Sequence, residues 1–152
     1  MKDKDNNKDP GKLKTDEYNP TQMRNVAKAF LLAAKRCNEP PVKQVGWSQP
    51  LLIPIVTNLA FACELFLKTL LQKSGSPKGG HNLLDLFNSL PEEIQNEITG
   101  LNKSQEFVIE LKQISRLFEE WRYIYEHHLK SLNFSFLLEF AERLSICTDK
   151  RI

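Results

Sequence analysis

Residues 51–71 read LLIPIVTNLAFACELFLKTLL and form the most apolar stretch of the chain. Their apolar side chains recur at steps of three and four residues, which is typical of a helix. Polar or helix-breaking residues interrupt the stretch at Pro54, Asn58, Glu64 and Lys68. Charged residues are costly on the lipid-facing side of a lone membrane-spanning helix, so the pattern predicts a buried helix inside a helical domain. Ser48 is its predicted cap, and Pro54 either falls in its first turns or kinks it.

The segments on either side of this helix show the same helical period. Asn19 and Pro20 form a plausible N-cap and first helical residue. The other predicted helices cover residues 20–39, 81–90, 91–100, about 24 residues from Ser104 onward, and 134–147. The long one has an apolar seam at Phe107, Leu111, Ile114, Phe118, Trp121, Tyr125 and His128. No alternating strand pattern occurs, so the sequence predicts an all-α, antiparallel four-helix bundle with one or two extra short helices.

The length and composition limit the class of protein. The 152 residues, 41% hydrophobic and 26% charged, suit one globular domain. We expect a disordered charged tail at 1–19, the bundle at 20–148 and a C-terminal tail at 149–152. The N-terminal residues lack an apolar signal-peptide core, which predicts a cytoplasmic protein. The three cysteines are widely spaced, which favours free thiols and argues against a disulfide framework or a zinc site.

The charge distribution excludes binding of duplex DNA over the whole surface, because 21 basic and 19 acidic residues leave a net charge of only +2. Residues 20–49, however, contain five basic residues against the single acidic residue Glu39. Arg24 and Lys28 lie on the polar face of the first predicted helix. We therefore expect any contact with nucleic acid to be local, with this helix as the most basic surface.

Arg122 is followed by His127 and His128, which places a permanent cation about one turn and a half from a titratable imidazole. Such a pair can cleave a phosphodiester of RNA without a metal ion. The imidazole moves the proton of the ribose 2′-hydroxyl or of the leaving oxygen, and the guanidinium stabilises charge on the phosphoryl oxygens. The alternative is structural, because Arg122 can also pair with Glu119 or Glu126 along its own helix.

Other polar and aromatic residues leave similar alternatives. Glu64 and Lys68 form an i,i+4 pair that either meets solvent or joins a polar network inside the bundle. His81, at the predicted start of its helix, suits capping or packing better than anion binding. Tyr123 and Tyr125 can stack on unpaired bases, although Tyr125 also lies on the apolar seam.

Three segments in this order resemble the HEPN domains (higher eukaryotes and prokaryotes nucleotide-binding). These are ACELFLK at 62–68, GHNLLDL at 80–86 followed by Leu90-Pro91, and FEEWRYIYEH at 118–127. The likeness covers about residues 50–130. It implies a bundle that dimerises, with an Arg-x4-6-His motif from each subunit lining a shared cleft that acts as a metal-independent endoribonuclease. Arg122 with His127 or His128 matches that motif.

Two hypotheses follow from the resemblance. In the first, the protein binds and cuts RNA in a toxin or phage-defence system. We expect a homodimer that an antitoxin or other partner protein controls, with no cofactor, metal or membrane partner. Its catalytic residues are then Arg122, His127 and His128, and its substrate-binding residues are Tyr123, Tyr125, Glu126, Arg24 and Lys28.

In the second hypothesis, the domain binds a nucleotide or a protein without turnover. Catalytic members of the family often have Asn, Asp or His at the position of Tyr123. In this second hypothesis, Arg122 is expected to pair with Glu64 in a structural network with Lys68 and His81.

Overall fold

The computed structural model describes residue 14 and residues 17–39, 51–100, 105–126 and 131–152, without the side chain of Tyr125. Within these residues the chain is helical and has no strand. The helices are α1 (Pro20–Cys37), α2 (Leu52–Lys73), α3 (Leu83–Asn88), α4 (Glu92–Thr99), α5 (Gln105–Ile114), α6 (Leu117–Arg122) and α7 (Phe134–Asp149), with a 3₁₀ turn at Ile124–Glu126. The predicted all-α helical bundle is therefore confirmed.

Helix α2 is the centre of the bundle and contacts α1, α3, α6 and α7. Its apolar residues are buried on most of its circumference, from Ile55 to Leu71. The helix is long and apolar enough to cross a membrane, and 56% of its most apolar window is buried inside the bundle. Pro54 falls in the first turn, where its missing N–H leaves no hydrogen bond unmade. Ser48, its predicted cap, lies outside the described residues.

Helix α1 begins as its sequence predicts. The side-chain oxygen of Asn19 accepts a hydrogen bond from the Gln22 N–H at 3.1 Å, and Pro20 occupies the first helical position. Salt bridges join α1 to α7 from Lys28 to Asp149 and from Lys35 to Glu142, each at 2.7 Å. Since residue numbers rise along α1 as they fall along α7, the two helices are antiparallel.

The last four residues, which we expected to form a tail, are held by the bundle. Asp149 is the final residue of α7. Arg151 lies 2.6 Å from a carboxylate oxygen of Glu97 in α4, and Lys150 lies 2.8 Å from the other oxygen. The chain end is thus attached to the α4 surface by two charge-assisted hydrogen bonds.

The prediction of one helix of about 24 residues from Ser104 is wrong, because the helix breaks between α5 and α6. The carbonyl of Ser115 accepts a hydrogen bond from the Leu83 N–H at 2.8 Å. In a continuous helix that carbonyl would accept from Glu119, whose N–H instead reaches Arg116 at 3.1 Å. The break therefore satisfies a donor in the first turn of α3 that has no partner within its own helix. Ser104 itself lies outside the described residues.

The third helix is shorter than the predicted range 81–90. Asn82 caps it, since its side chain accepts a hydrogen bond from the Asp85 N–H at 3.1 Å. His81 therefore precedes the helix instead of opening it, which leaves its side chain available for contacts with α2. The next helix, α4, ends at Gly100, whose positive φ of 74° makes the left-handed C-cap.

Candidate functional site

A polar cluster lies in the middle of the central helix, and we call Glu64, Lys68 and His81 the Glu64 cluster. Lys68 Nζ is 2.7 Å from Glu64 Oε1, and His81 Nδ1 is 3.0 and 3.1 Å from the two carboxylate oxygens. The Glu64 side chain is only 2% exposed, against 15% for Lys68 and 50% for His81. Of the two alternatives for this pair, the structure therefore shows the polar network, which is partly buried.

The burial of Glu64 explains why this cluster forms. A carboxylate that loses its water must receive hydrogen bonds from other donors or pay a large desolvation cost. Lys68 supplies one donor from the next turn of α2, and His81 supplies another from the segment before α3. An ionised carboxylate only accepts hydrogen bonds, so the bonded Nδ1 of His81 is the donor. Nε2 is then the ring nitrogen on the other side of the half-exposed imidazole.

A row of aromatic rings connects α1, α2 and α6 beside the Glu64 cluster. The Phe30 ring meets Phe61 edge-on with centroids 4.6 Å apart, and Phe61 stacks on Phe118 at 4.5 Å. The His81 ring is 6.3 Å from the Phe118 ring. The Cζ atom of Arg122 lies over Phe118, 4.5 Å from its centroid. Phe118 therefore borders both the Glu64 cluster and Arg122.

Arg122 is the last residue of α6 and is exposed to solvent. Its Cζ atom is also 5.5 Å from the Tyr123 ring centroid. The alternative pairing of Arg122 with Glu64 is wrong, because Lys68 and His81 occupy that carboxylate. No ion pair of Arg122 with Glu119 or Glu126 forms within the described part of the chain. Its guanidinium thus lies over two aromatic rings on an exposed side chain.

The remaining residues of the predicted site lie close to Arg122 in sequence. His127 and His128 lie outside the described residues, as does the side chain of Tyr125. Tyr123 is 47% exposed, and Glu126 is exposed in the 3₁₀ turn that follows α6. Trp121, which the apolar seam placed in the core, is buried. An accessible guanidinium and an accessible tyrosine ring therefore sit side by side at the end of α6.

The basic face of α1 is partly neutralised by the chain end. Lys28 Nζ is 2.7 Å from one carboxylate oxygen of Asp149, and Arg24 Nη1 is 3.7 Å from the other. Arg24 also donates to the side chain of its neighbour Asn25. In the stretches that the structure describes, no hydrogen bond or ion pair connects these two residues to Arg122.

The possible metal ligands and the position of a cavity were compared with the predicted site residues. Among the described residues, no three His, Cys, Asp or Glu side chains are grouped to hold a metal ion. A cavity of about 450 Å³ lies between α5 and α7, with Glu110 and Phe140 in its wall, and none of the predicted site residues lines it.

Sequence reasoning missed the part that Phe118 plays. We assigned this residue to the apolar seam, whereas its ring carries the Arg122 guanidinium. The signal was present, because residues four apart on a helix are neighbours and Phe118 precedes Arg122 by four. The partner ring of Phe61, far away in sequence, gave no such signal.

Comparison with known protein families identifies the kind of domain. The HEPN domain model matches residues 56–149, which is more than half of the chain. The match begins in α2, ends at the last residue of α7, and includes the Glu64 cluster and Arg122. No curated protein and no solved structure matches the chain. On the strength of the domain match, the chain belongs to the HEPN domain family.

Proposed function

We propose that the protein binds RNA and cleaves it as a metal-independent endoribonuclease. The observation that carries the proposal is the state of Arg122, which is exposed at the end of α6 and supported by the Phe118 ring. A guanidinium committed to a buried carboxylate could not contact a phosphate. This one keeps its fork of N–H donors available for the oxygens of a phosphodiester.

In this mechanism Arg122 binds the non-bridging oxygens of the scissile phosphate and stabilises the charge that develops on them. His127 or His128 transfers the proton of the ribose 2′-hydroxyl or of the leaving oxygen. Because the attacking oxygen belongs to the substrate, DNA is not cleaved. Tyr123 is placed next to Arg122 and offers a ring on which an unpaired base can stack.

The biological setting in the proposal is a toxin or phage-defence system in the cytoplasm. A homodimer would bring two Arg122 motifs to one cleft, and an antitoxin or other partner protein would restrain the activity. Arrest of growth on expression of the wild-type chain, with normal growth on expression of Arg122→Ala, is the result we expect in a bacterial host.

The cleavage test uses single-stranded RNA in EDTA with wild type, Arg122→Ala, His127→Ala and His128→Ala. Arg116→Ala is the matched control, because Arg116 is an exposed arginine just before α6 that pairs with Glu119 on its own segment. We expect a loss of about 100-fold or more for Arg122→Ala and for one histidine variant. Arg116→Ala should cleave like wild type, and circular dichroism confirms folding. Equal background cleavage by every protein overturns the enzyme proposal.

The second candidate function is a binding module without turnover. The Glu64 cluster is compatible with it, because buried polar networks make a fold rigid whether or not the protein is an enzyme. Tyr123, directly after Arg122, also suits contact with a bound base. RNA binding measured by fluorescence anisotropy, with no cleavage by any of the folded proteins, would support this function.

A further inference from the structure

We propose that His81 is a second acid–base residue of the Arg122 site, oriented by Glu64. This inference rests on the proposed ribonuclease function and adds a residue outside the Arg-x4-6-His motif. It starts from two observations, the contact of the His81 ring with a buried carboxylate and the position of the same ring beside Phe118.

The contact with Glu64 determines how the imidazole can react. Both carboxylate oxygens lie within 3.1 Å of Nδ1, so the N–H at this nitrogen donates a hydrogen bond to the ionised form of Glu64. In the neutral ring Nε2 then carries the lone pair. A carboxylate that holds an imidazole in one tautomer and stabilises its protonated form is the arrangement that general-base histidines use in hydrolases.

The three side chains of the Glu64 cluster differ in their exposure to solvent. Glu64 is buried and Lys68 is mostly buried, whereas half of the His81 side chain meets solvent. Among the described residues no hydrogen bond reaches Nε2 of His81.

The His81 ring and the Arg122 guanidinium both contact the Phe118 ring. Phe61 stacks on one face of Phe118, so the Arg122 guanidinium lies over the other face. The His81 ring approaches the same phenyl group, tilted by 38° at 6.3 Å. Glu64 and Lys68 from α2 are the charged groups of its own cluster, and Arg122 from α6 lies over the phenyl ring that His81 approaches. We expect a phosphodiester bound by the guanidinium to lie on the surface around Phe118 that His81 also borders.

The proposed step is a transesterification in which Nε2 of His81 takes the proton of the 2′-hydroxyl. The 2′-oxygen forms a bond to phosphorus, and the bond from phosphorus to the 5′-oxygen breaks. The leaving 5′-oxygen takes a proton from the protonated His127 or His128, and Arg122 balances the charge on the phosphoryl oxygens. The products are a 2′,3′-cyclic phosphate and a 5′-hydroxyl, and His81 returns its proton to water.

The test compares His81→Asn with His81→Ala in single-turnover cleavage of RNA in EDTA. The side-chain amide nitrogen of Asn occupies the place of Nδ1, so His81→Asn keeps a donor for Glu64 and removes Nε2. We expect both variants to lose about 100- to 10,000-fold in the cleavage rate constant. Affinity for an RNA with a 2′-deoxy scissile nucleotide should not change. Thermal unfolding should place His81→Asn close to wild type and His81→Ala below it. Lys78→Ala, a change in the loop before His81, is the control.

The outcomes separate this inference from the function on which it rests. If wild type cleaves, Arg122→Ala does not, and His81→Asn cleaves like wild type, then His81 has only a structural role and the inference is overturned. If wild type does not cleave RNA, the proposed function and the inference both fail. Loss of cleavage by His81→Asn with unchanged RNA affinity and stability supports the inference.

Discussion

The Cζ atom of Arg122 lies 4.5 Å from the centre of the Phe118 ring, whose other face is covered by Phe61. A cation over a ring face gains about 1 kcal/mol or more. Phe118→Leu keeps an apolar side chain but removes that face, so we expect RNA cleavage to slow by about tenfold. The matched control is Phe136→Leu, because Phe136 stacks on Phe140 in a different ring cluster. Equal loss in both variants would contradict a role specific to Phe118.

Glu64 and Lys68 should show strong coupling in stability. Lys68→Met leaves the buried carboxylate without its nearest donor, and Glu64→Leu leaves the ammonium without its partner. We expect each single change to lower the free energy of unfolding by about 1–3 kcal/mol, and the double variant to lose less than the sum. Urea unfolding monitored by circular dichroism measures all four corners of the cycle. Additive losses would show that the ion pair contributes nothing.

Gly100 and Gly79 offer a matched pair of backbone changes. Gly100 has a φ of 74°, which alanine adopts at a cost, whereas Gly79 does not have a positive φ and its added Cβ would meet open space. We expect Gly100→Ala to reduce the free energy of unfolding by about 1 kcal/mol. Gly79→Ala should leave it unchanged or slightly raise it. Chemical denaturation of both variants checks the difference, and an equal effect would contradict the left-handed C-cap.

Glu97 should make the stability of the bundle depend on pH in the acid range. Hydrogen bonds from Arg151 and Lys150 lower the pKa of its carboxyl group from the ordinary value of 4.5 to about 2. The folded state therefore holds the ionised form, and this stabilisation is complete above about pH 5 and lost as the pH falls towards 2. Because solvent screens the exposed pairs, we expect a contribution of about 1 kcal/mol.

The measurement compares wild type with Glu97→Gln by denaturant unfolding at several pH values. The variant should be less stable than wild type at pH 6, and the difference should shrink towards pH 2. Glu39→Gln, at an exposed acidic position after α1, is the control and should show no such convergence. A difference that stays constant with pH would rule out the two cations as its cause.

The three thiols should differ in reactivity. Burial raises the pKa of Cys63 strongly and raises the pKa of Cys147 to about 11, whereas Cys37 is only half-buried. The thiolate is the reactive form, so iodoacetamide at pH 8 should modify Cys37 first in the folded protein. Mass spectrometry of the native and urea-unfolded protein gives the sites. Early modification of Cys63 would contradict its burial in the centre of α2.

Much of the architecture could be predicted because it depends on local patterns. The three- and four-residue period of α2 comes from the helix geometry itself, and the Asn19-Pro20 pair satisfies backbone donors within one turn. These features require no knowledge of what lies elsewhere in the chain.

The surroundings of the site were decided by contacts between distant segments. The apolar seam favoured one long helix through Ser115. In the structure the Leu83 N–H donates a hydrogen bond to the Ser115 carbonyl, and the helix breaks there. The spacing of Glu64 and Lys68 predicted their pairing, yet only packing revealed that the carboxylate is buried and bound by His81. The sequence by itself determined the helical class, the Asn19-Pro20 start of α1 and the candidate residues, because these follow from neighbours in the chain. The tertiary structure decided which donor reaches which acceptor and which side chains stay exposed to solvent, because hydrogen bonds and burial depend on distance in space.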